Sequence, residues 1–302
     1  MKPVWMIFAA GWLALAAGVA GAQVEQLAPM ELSGTLQKAR SAGAVTIAYR
    51  ESSVPFSYLS ARGEPIGYSI ELCRKLVDAI GETVHREVAI KWLPVTAESR
   101  MDAVVSGRAD LECGSTTNNL ERQKQVGFSP TIFVSGTKLM VRRSSPISSF
   151  RDLVGKSVVV TAGTTNEKAM RDLMHKFKLK FRLLVARDHA ESYAQVEAGT
   201  ADAFATDDVL LYGLIAQNKA QKKYHVIGEF LSYDPYGIMY RRGDAQLASL
   251  VNSTFHDLAE DGEVERQYKR WFLQRLPSGQ SVDLPMSPQL ETLIRAMAAK
   301  PE

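Results

Sequence analysis

The chain runs twice through one pattern, in which short apolar strands alternate with amphipathic helices. In the first half, strands are predicted at 45–49, 88–95 and 109–113, with helices over 67–81 and 99–106. In the second half, strands are predicted at 157–161, 181–186 and 201–206, with helices over 167–177 and 189–198. Strands that alternate with helices form βαβ units and a largely parallel sheet. The pattern therefore predicts two α/β lobes. The first helix is expected to end at Gly81, and the second to turn Val104 and Val105 inward.

The two halves also match in detail. Gly107-Arg-Ala-Asp110 and Gly199-Thr-Ala-Asp202 each end a predicted helix and precede a short apolar strand. A polar cluster follows each strand, at 114–119 in one half and 206–208 in the other. Open α/β sheets bind ligands at the carboxyl ends of their strands. Two such lobes facing each other predict one ligand cleft between them.

Two segments are predicted to cross between the lobes. Residues 134–138 contain Gly136, and residues 234–238 contain Pro235 and Gly237, a composition that suits a hinge. Two ordinary loops remain the alternative, because periodicity does not distinguish them. The crossings predict a first lobe of residues 23–135 plus 236–302 and a second lobe of residues 136–235.

The N-terminus is typical of an exported protein. Lys2 precedes an uncharged apolar run over 4–19, and Ala20-Gly21-Ala22 follows as a cleavage pattern. We predict a signal peptide over 1–22 and a periplasmic mature protein. A membrane anchor is the alternative, but the apolar run is short for a span, which needs about 20 residues.

Composition and motifs exclude several classes of function. A net charge of +3 is too small to imply a nucleic acid partner. The sequence contains none of the nucleophile, metalloprotease or phosphate-loop motifs, and its five histidines show no metal spacing. We therefore expect no catalytic site, metal or cofactor. Cys73 and Cys113 are expected to be free and buried, with a disulfide as the alternative.

Groups that suit a charged zwitterion are present instead. Arg50 ends a predicted strand, Arg100 opens a helix, and Arg122 follows the hydroxyl-rich run 115–117. Guanidinium groups bind carboxylates through paired, charge-assisted hydrogen bonds. Residues 163–166 offer N–H groups and hydroxyls at a helix N-terminus, which favours an anion. Asp207, at a strand end, is suited to an ammonium group.

At these residues the sequence resembles the glutamate/aspartate periplasmic binding proteins of ABC importers, within the family 3 solute-binding proteins. The resemblance runs through nearly the whole mature chain. The matching stretches are 50–58 (RESSVPFSY), 112–119 (ECGSTTNN), 121–125, 131–134, 158–161, 163–165, 188–189, 207–208 and 236–237. It implies a two-lobed periplasmic-binding-protein-like fold, in which two similar α/β lobes are joined by a two-strand hinge.

The resemblance also implies roles for individual residues. Arg122 matches the arginine that binds the ligand α-carboxylate, with Ser115, Thr117 and Thr165 beside it and Thr164 in the same turn. Asp207 matches the aspartate that holds the α-ammonium group. Around the distal carboxylate the resemblance places Arg50, Arg100 and His189. In one departure, Ala97 stands where the family has a serine, which removes a hydrogen bond of roughly 0.5–1.5 kcal/mol.

The resemblance predicts an extracytoplasmic, monomeric and non-enzymatic protein. Its ligand would be L-glutamate or L-aspartate, and its partner the membrane permease of an ABC importer. The alternative is a dehydratase-like enzyme on the same fold, acting on a cyclic amino acid or keto acid. A ligand-sensing module of a receptor is a third possibility, and the lack of a later membrane span disfavours it.

Overall fold

A computed structural model of the chain describes Met1 and residues 31–299. The remainder of the predicted signal peptide lies outside the described residues. Over residues 31–299, the α-helices are α1 (Gly34–Ala42), α2 (Tyr68–Val84), α3 (Arg100–Val105), α4 (Leu120–Gln123), α5 (Thr165–Phe177), α6 (His189–Glu197), α7 (Asp208–Gln217), α8 (Ala245–Glu260), α9 (Glu263–Tyr268) and α10 (Pro288–Ala298). Of the helices that the structure describes, none combines the length and the apolar character needed to cross a membrane.

Two five-stranded sheets form the frame of the molecule. The strands in the described range are β1 (Ala44–Tyr49), β2 (Ser52–Ser53), β3 (Ser57–Leu59), β4 (Pro65–Ile66), β5 (Ala89–Pro94), β6 (Leu111–Glu112), β7 (Val126–Phe128), β8 (Phe133–Ser135), β9 (Thr137–Arg142), β10 (Ser157–Thr161), β11 (Arg182–Ala186), β12 (Ala203–Asp207), β13 (Tyr224–Ile227), β14 (Asp234–Tyr236) and β15 (Met239–Arg241). One sheet has the order β5-β1-β6-β15-β7, and the other β11-β10-β12-β9-β13. We call the parts built on them lobe 1 and lobe 2.

The two sheets share one topology. In lobe 1, β1 pairs in parallel with β5 and β6, while β15 runs antiparallel to both β6 and β7. In lobe 2, β10 pairs in parallel with β11 and β12, while β9 runs antiparallel to both β12 and β13. Each sheet is thus largely parallel with one reversed strand, and the predicted two-lobed α/β fold is confirmed.

The reversed strands follow the two crossing segments. β8 and β14 pair antiparallel, with Ser135 opposite Asp234 and Phe133 opposite Tyr236. β8 leads into β9 of lobe 2, and β14 leads into β15 of lobe 1. The paired strands therefore form the two-strand connection that the glycine-containing crossings suggested. The residue limits 23–135 plus 236–302 and 136–235 stay a prediction.

The repeated Gly-x-Ala-Asp motif has a structural explanation. Gly107 and Gly199 end α3 and α6 with φ of 76° and 78°, a left-handed conformation that favours glycine. The Asp110 carboxylate accepts a hydrogen bond from Thr46 N at 2.8 Å. The Asp202 carboxylate accepts the equivalent bond from Ser157 N at 2.7 Å. In both lobes the motif thus turns the chain and ties it to the central parallel strand, β1 in lobe 1 and β10 in lobe 2.

Two details of the predicted helices are wrong. α2 continues past Gly81 to Val84, and His85 ends it in the left-handed conformation, because Val84 adds a buried contact that extends the apolar face. In α3, Val104 is buried but Val105 is 46% exposed. Successive helical residues point about 100° apart, so two neighbouring valines cannot both face the core of a six-residue helix.

The expectation of two free cysteines is also wrong. Cys73 in α2 and Cys113 after β6 form a disulfide, with their Cα atoms 6.4 Å apart. Disulfides need Cα separations of about 4.4–6.8 Å. The packing of α2 against the end of β6 meets that requirement across a sequence separation of 40 residues. The disulfide therefore ties α2 to the strand end that carries the polar cluster.

Candidate functional site

The candidate site lies where the carboxyl ends of the parallel strands in both lobes meet. In lobe 1, Arg50 follows β1 and Ser115 follows β6. In lobe 2, Thr165 follows β10, His189 follows β11, and Asp207 ends β12. All five side chains were predicted to belong to the site, and the topology brings the ends of their strands together. This is the edge at which open α/β sheets bind ligands.

Arg50 and Arg100 place two buried guanidinium groups in this region. Arg50 is 1% exposed and Arg100 2% exposed. No described residue accepts a hydrogen bond from either Nη atom of Arg50 or from Nε of Arg100. Burial, and then the positive charge of Arg100, lower the pKa of Arg50 to about 9. Arg50 is therefore cationic at neutral pH, with unused donors and little hydration.

Arg122 reaches across to the other lobe. Its Nη1 donates to the Thr117 carbonyl oxygen at 2.9 Å, and its Nη2 to the Gly163 carbonyl oxygen at 3.4 Å. Burial, followed by the charge of Arg100, lowers its pKa to about 9. Arg100 therefore repels both Arg50 and Arg122 within a partly desolvated space, which makes this space attractive to a carboxylate.

The predicted hydroxyl groups divide into two kinds. Ser115 is buried, and its Oγ has no hydrogen-bond partner among the described residues. Thr117 Oγ1 lies 3.3 Å from Thr165 Oγ1, which links the lobes. Thr164 differs, because its hydroxyl accepts from Glu167 N at 3.1 Å and donates to the Thr161 carbonyl at 2.7 Å. That hydroxyl caps α5, so any contact between Thr164 and a ligand would be made by its backbone and not by its side chain.

His189 is buried at the start of α6. Its Nδ1 lies 2.8 Å from Thr161 Oγ1, which is also 2.8 Å from Ser192 Oγ. Burial, and then the charges of Arg50 and Arg100, lower the pKa of His189 well below its usual value. The imidazole is therefore neutral at pH 7. It offers a hydrogen bond beside the two arginines and adds no positive charge to theirs.

Asp207 supplies a buried carboxylate on the lobe 2 side. Its Oδ1 accepts from Asn166 Nδ2 at 2.8 Å, and its Oδ2 accepts from the hydroxyl of Tyr236. Burial, followed by the negative charge of Asp234, raises the pKa of Asp207 to about 8. The positive charge of an ammonium group beside Asp207 would oppose both effects and favour the ionised form.

Sequence reasoning predicted no role beside Asp207 for three residues that shape this carboxylate. Asn166 and Tyr236 orient Asp207, and Asp234 accepts a hydrogen bond from Thr117 Oγ1 at 3.1 Å. Tyr236 and Asp234 stand on β14, one of the crossing strands. Tyr236 was part of a matching stretch in the sequence, which was the available signal for it.

Glu112 was also missed. It is fully buried at the end of β6, where Oε2 accepts from Thr116 Oγ1 at 2.7 Å and Oε1 has no partner in the described range. Its negative charge raises the pKa values of Arg50, Arg100 and Arg122 against the effect of burial. A charged residue within a short buried strand was the signal that could have identified it.

The lobes approach each other closely beside the site. A Cβ atom on Gly163 would lie 2.6 Å from Glu98 Cα, next to the buried Ala97. A Cβ atom on Gly213 in α7 would lie 2.2 Å from the Val54 carbonyl oxygen. Backbones meet at both contacts, so the structure shows the lobes closed on each other.

Comparisons with known proteins agree with this architecture. Residues 45–274 match the family described as bacterial extracellular solute-binding proteins, family 3. The L-glutamate/L-aspartate-binding protein of Pseudomonas aeruginosa is 42% identical over 273 residues, covering 89% of this chain and 90% of that protein. The glutamate/aspartate import solute-binding protein of Escherichia coli is 37% identical over 296 residues, covering 97% of this chain and 96% of that protein. In fold, a mutant of the arginine-binding protein ArgBP from T. maritima matches with a TM-score of 0.71 at 23% identity, over 80% of this chain and all of that one.

Proposed function

The chain belongs to the family 3 bacterial extracellular solute-binding proteins, and from that premise we propose that it captures L-glutamate or L-aspartate between its lobes. We propose further that it works as a monomer in the periplasm and delivers the amino acid to the membrane permease of an ABC importer. The Pseudomonas aeruginosa and Escherichia coli relatives are both named as binding proteins, which favours a binding protein over a dehydratase-like enzyme.

One observation carries the choice of ligand. Arg50 and Arg100 are almost completely buried and retain guanidinium nitrogens without any acceptor among the described residues. A buried cation is stable only when it is paired and hydrogen-bonded. A side-chain carboxylate supplies both the charge and the acceptors, whereas a side-chain amide supplies no charge. An acidic amino acid therefore suits this end of the site better than its amide.

The other groups suit the amino-acid end of the ligand. We assign Arg122 to the α-carboxylate, with Ser115, Thr117 and Thr165 as hydroxyl donors and Thr164 contributing through its backbone. We assign Asp207, oriented by Tyr236, to the α-ammonium group. His189 then serves the distal carboxylate as a neutral hydrogen-bond donor or acceptor. These groups come from both lobes, so a bound amino acid would stabilise the closed state over the open state.

Calorimetric titration of the mature protein with glutamate, aspartate, glutamine and asparagine tests this proposal. Glutamate or aspartate is expected to bind more tightly than its amide by about 2–5 kcal/mol, the range for leaving a buried charge unpaired. This corresponds to a factor of about 30 to 4000 in Kd. Equal affinity for glutamate and glutamine would refute the assignment.

A pair of arginine variants locates the site. Arg100→Ala is expected to abolish binding of acidic amino acids and to leave the circular dichroism spectrum unchanged. Arg108→Ala is the matched control, because Arg108 follows the same helix, is half-exposed, and pairs with the exposed Asp102 at 2.7 Å. The control should bind as the wild type does. Unchanged affinity in Arg100→Ala would remove Arg100 from the site.

A further inference from the structure

The end of the site around Arg50 and Arg100 has an unequal balance of charge. Both guanidinium groups are buried, and the carboxylate of Glu112 is buried close enough to raise the pKa of each. His189, beside them, is neutral, because burial and the two arginines lower its pKa. Two positive charges and one negative charge leave this end with a net charge of +1.

Other charged groups around this end do not alter the balance. Asp188 raises the pKa of Arg50, but its carboxylate forms an ion pair with Arg187 at 3.2 Å. Arg122 and Asp207 lie at the amino-acid end of the site. Arg122 also interacts with Arg100 and Glu112, but its Nη1 donates to the Thr117 carbonyl oxygen at 2.9 Å. Asp207 is hydrogen-bonded to Tyr236 and Asn166. Glu112 is therefore the carboxylate that offsets the arginine pair.

The fold holds Glu112 in place through specific contacts. Its Oε2 accepts from Thr116 Oγ1 at 2.7 Å, while Oε1 accepts no hydrogen bond from any residue in the described range. A Cβ atom on Gly114 would lie 2.2 Å from Glu112 Oε1 and 3.0 Å from Arg50 Cγ. The missing side chain of Gly114 thus makes room for the carboxylate and the stem of Arg50 together.

We infer that Glu112 is a specificity-determining residue, which sets the charge of the distal end at +1 so that one singly charged acidic group neutralises it. A distal group with two negative charges, such as a phosphate monoester, would leave an uncompensated negative charge in the buried space. This inference rests on the proposed function, and it adds selection against amino acids with a dianionic side chain.

The test compares L-glutamate with L-O-phosphoserine, in which a phosphate monoester replaces the distal carboxylate at similar length. Phosphoserine carries a charge of about −1.5 to −2 on its phosphate at pH 7, with a second pKa of about 6. The substitution Glu112→Gln keeps the shape and the acceptor for Thr116, and it raises the charge of the distal end to +2. The ratio of phosphoserine affinity to glutamate affinity at pH 7.5 is expected to rise at least about tenfold, or about 1.4 kcal/mol.

Two controls separate this effect from a general loss of binding. Glu121→Gln, which changes an exposed carboxylate in α4, should leave the ratio unchanged. At pH 5 phosphoserine is mainly a monoanion, so the gain in Glu112→Gln should shrink. If Glu112 had only a structural role, Glu112→Gln would weaken the affinity for phosphoserine and for glutamate by the same factor. An unchanged ratio of the two affinities in Glu112→Gln would therefore overturn the inference.

The wild-type protein provides a test that does not depend on the variant folding. Its own ratio of phosphoserine to glutamate affinity should fall as the pH rises from 5 to 7.5, because the phosphate loses its second proton. A ratio that rises over this range would overturn the inference. Wild-type protein that binds neither glutamate nor aspartate would instead refute the proposed function.

Discussion

Replacing Arg50 with methionine should have opposite effects on stability and on binding. The guanidinium is 1% exposed, and both of its Nη atoms lack an acceptor among the described residues. Methionine is flexible and fills most of the space of the arginine stem without introducing a charge. Arg50→Met therefore removes an unpaired buried cation and also removes a proposed ligand for the distal carboxylate.

The magnitude follows from the pKa of Arg50. Its fall from 12.5 to about 9, at 1.36 kcal/mol for each unit, corresponds to a cost on the order of 5 kcal/mol for holding the charge. Part of this cost is repulsion between Arg50 and Arg100, which disappears with the charge of Arg50. Replacing buried charges with well-packed apolar groups is often neutral or stabilises a protein by about 1–4 kcal/mol. At about 2–4 °C for each kcal/mol in a protein of this size, the Tm without ligand should rise by several degrees.

Thermal unfolding with and without L-glutamate measures both effects. Ligand at about 100 times its Kd should stabilise the wild type by about 2.7 kcal/mol, whereas Arg50→Met should gain almost nothing at the same concentration. Arg62→Met is the control, because Arg62 is exposed in the loop between β3 and β4. It should resemble the wild type in both conditions. A lower Tm of ligand-free Arg50→Met, or a full stabilisation of it by glutamate, would refute the reasoning.

Two further predictions concern closure and pH. Gly213→Ala should weaken ligand affinity at least about tenfold, because its Cβ would lie 2.2 Å from the Val54 carbonyl oxygen across the lobes. Small-angle scattering should then show incomplete compaction at saturating ligand, and normal compaction would contradict the prediction. The pKa of Asp207 is about 8 without a ligand, and the ammonium group of a bound amino acid favours the ionised carboxylate. Ligand affinity should therefore rise from pH 5 to about pH 8 and then level off. The complex thus binds fewer protons, and log Ka increases with pH. Asp207→Asn should abolish the proton release seen by calorimetry in buffers of different ionisation enthalpy, and release that persists would exclude Asp207 as its source.

Much of the fold was predictable because it depends on local periodicity. β1, β5, β10 and β11 lie within about one residue of the predicted strands, since runs of alternating or continuous apolar residues identify a half-buried or buried strand. The matching Gly-x-Ala-Asp motifs also indicated two lobes. The C-terminal end of α2 and the exposure of Val105 were mispredicted, because tertiary packing decides where a helix stops and which face is covered.

The sequence alone determined the alternation of strands and helices, the paired lobes and the kinds of polar group at the strand ends. Only the tertiary structure decided that Cys73 and Cys113 are bonded, that His189 is neutral, and that Glu112 lies among the arginines. The physical reason is that periodicity arises from neighbours along one chain segment. Disulfide distance, desolvation and pKa instead depend on groups that distant segments bring together when the lobes pack.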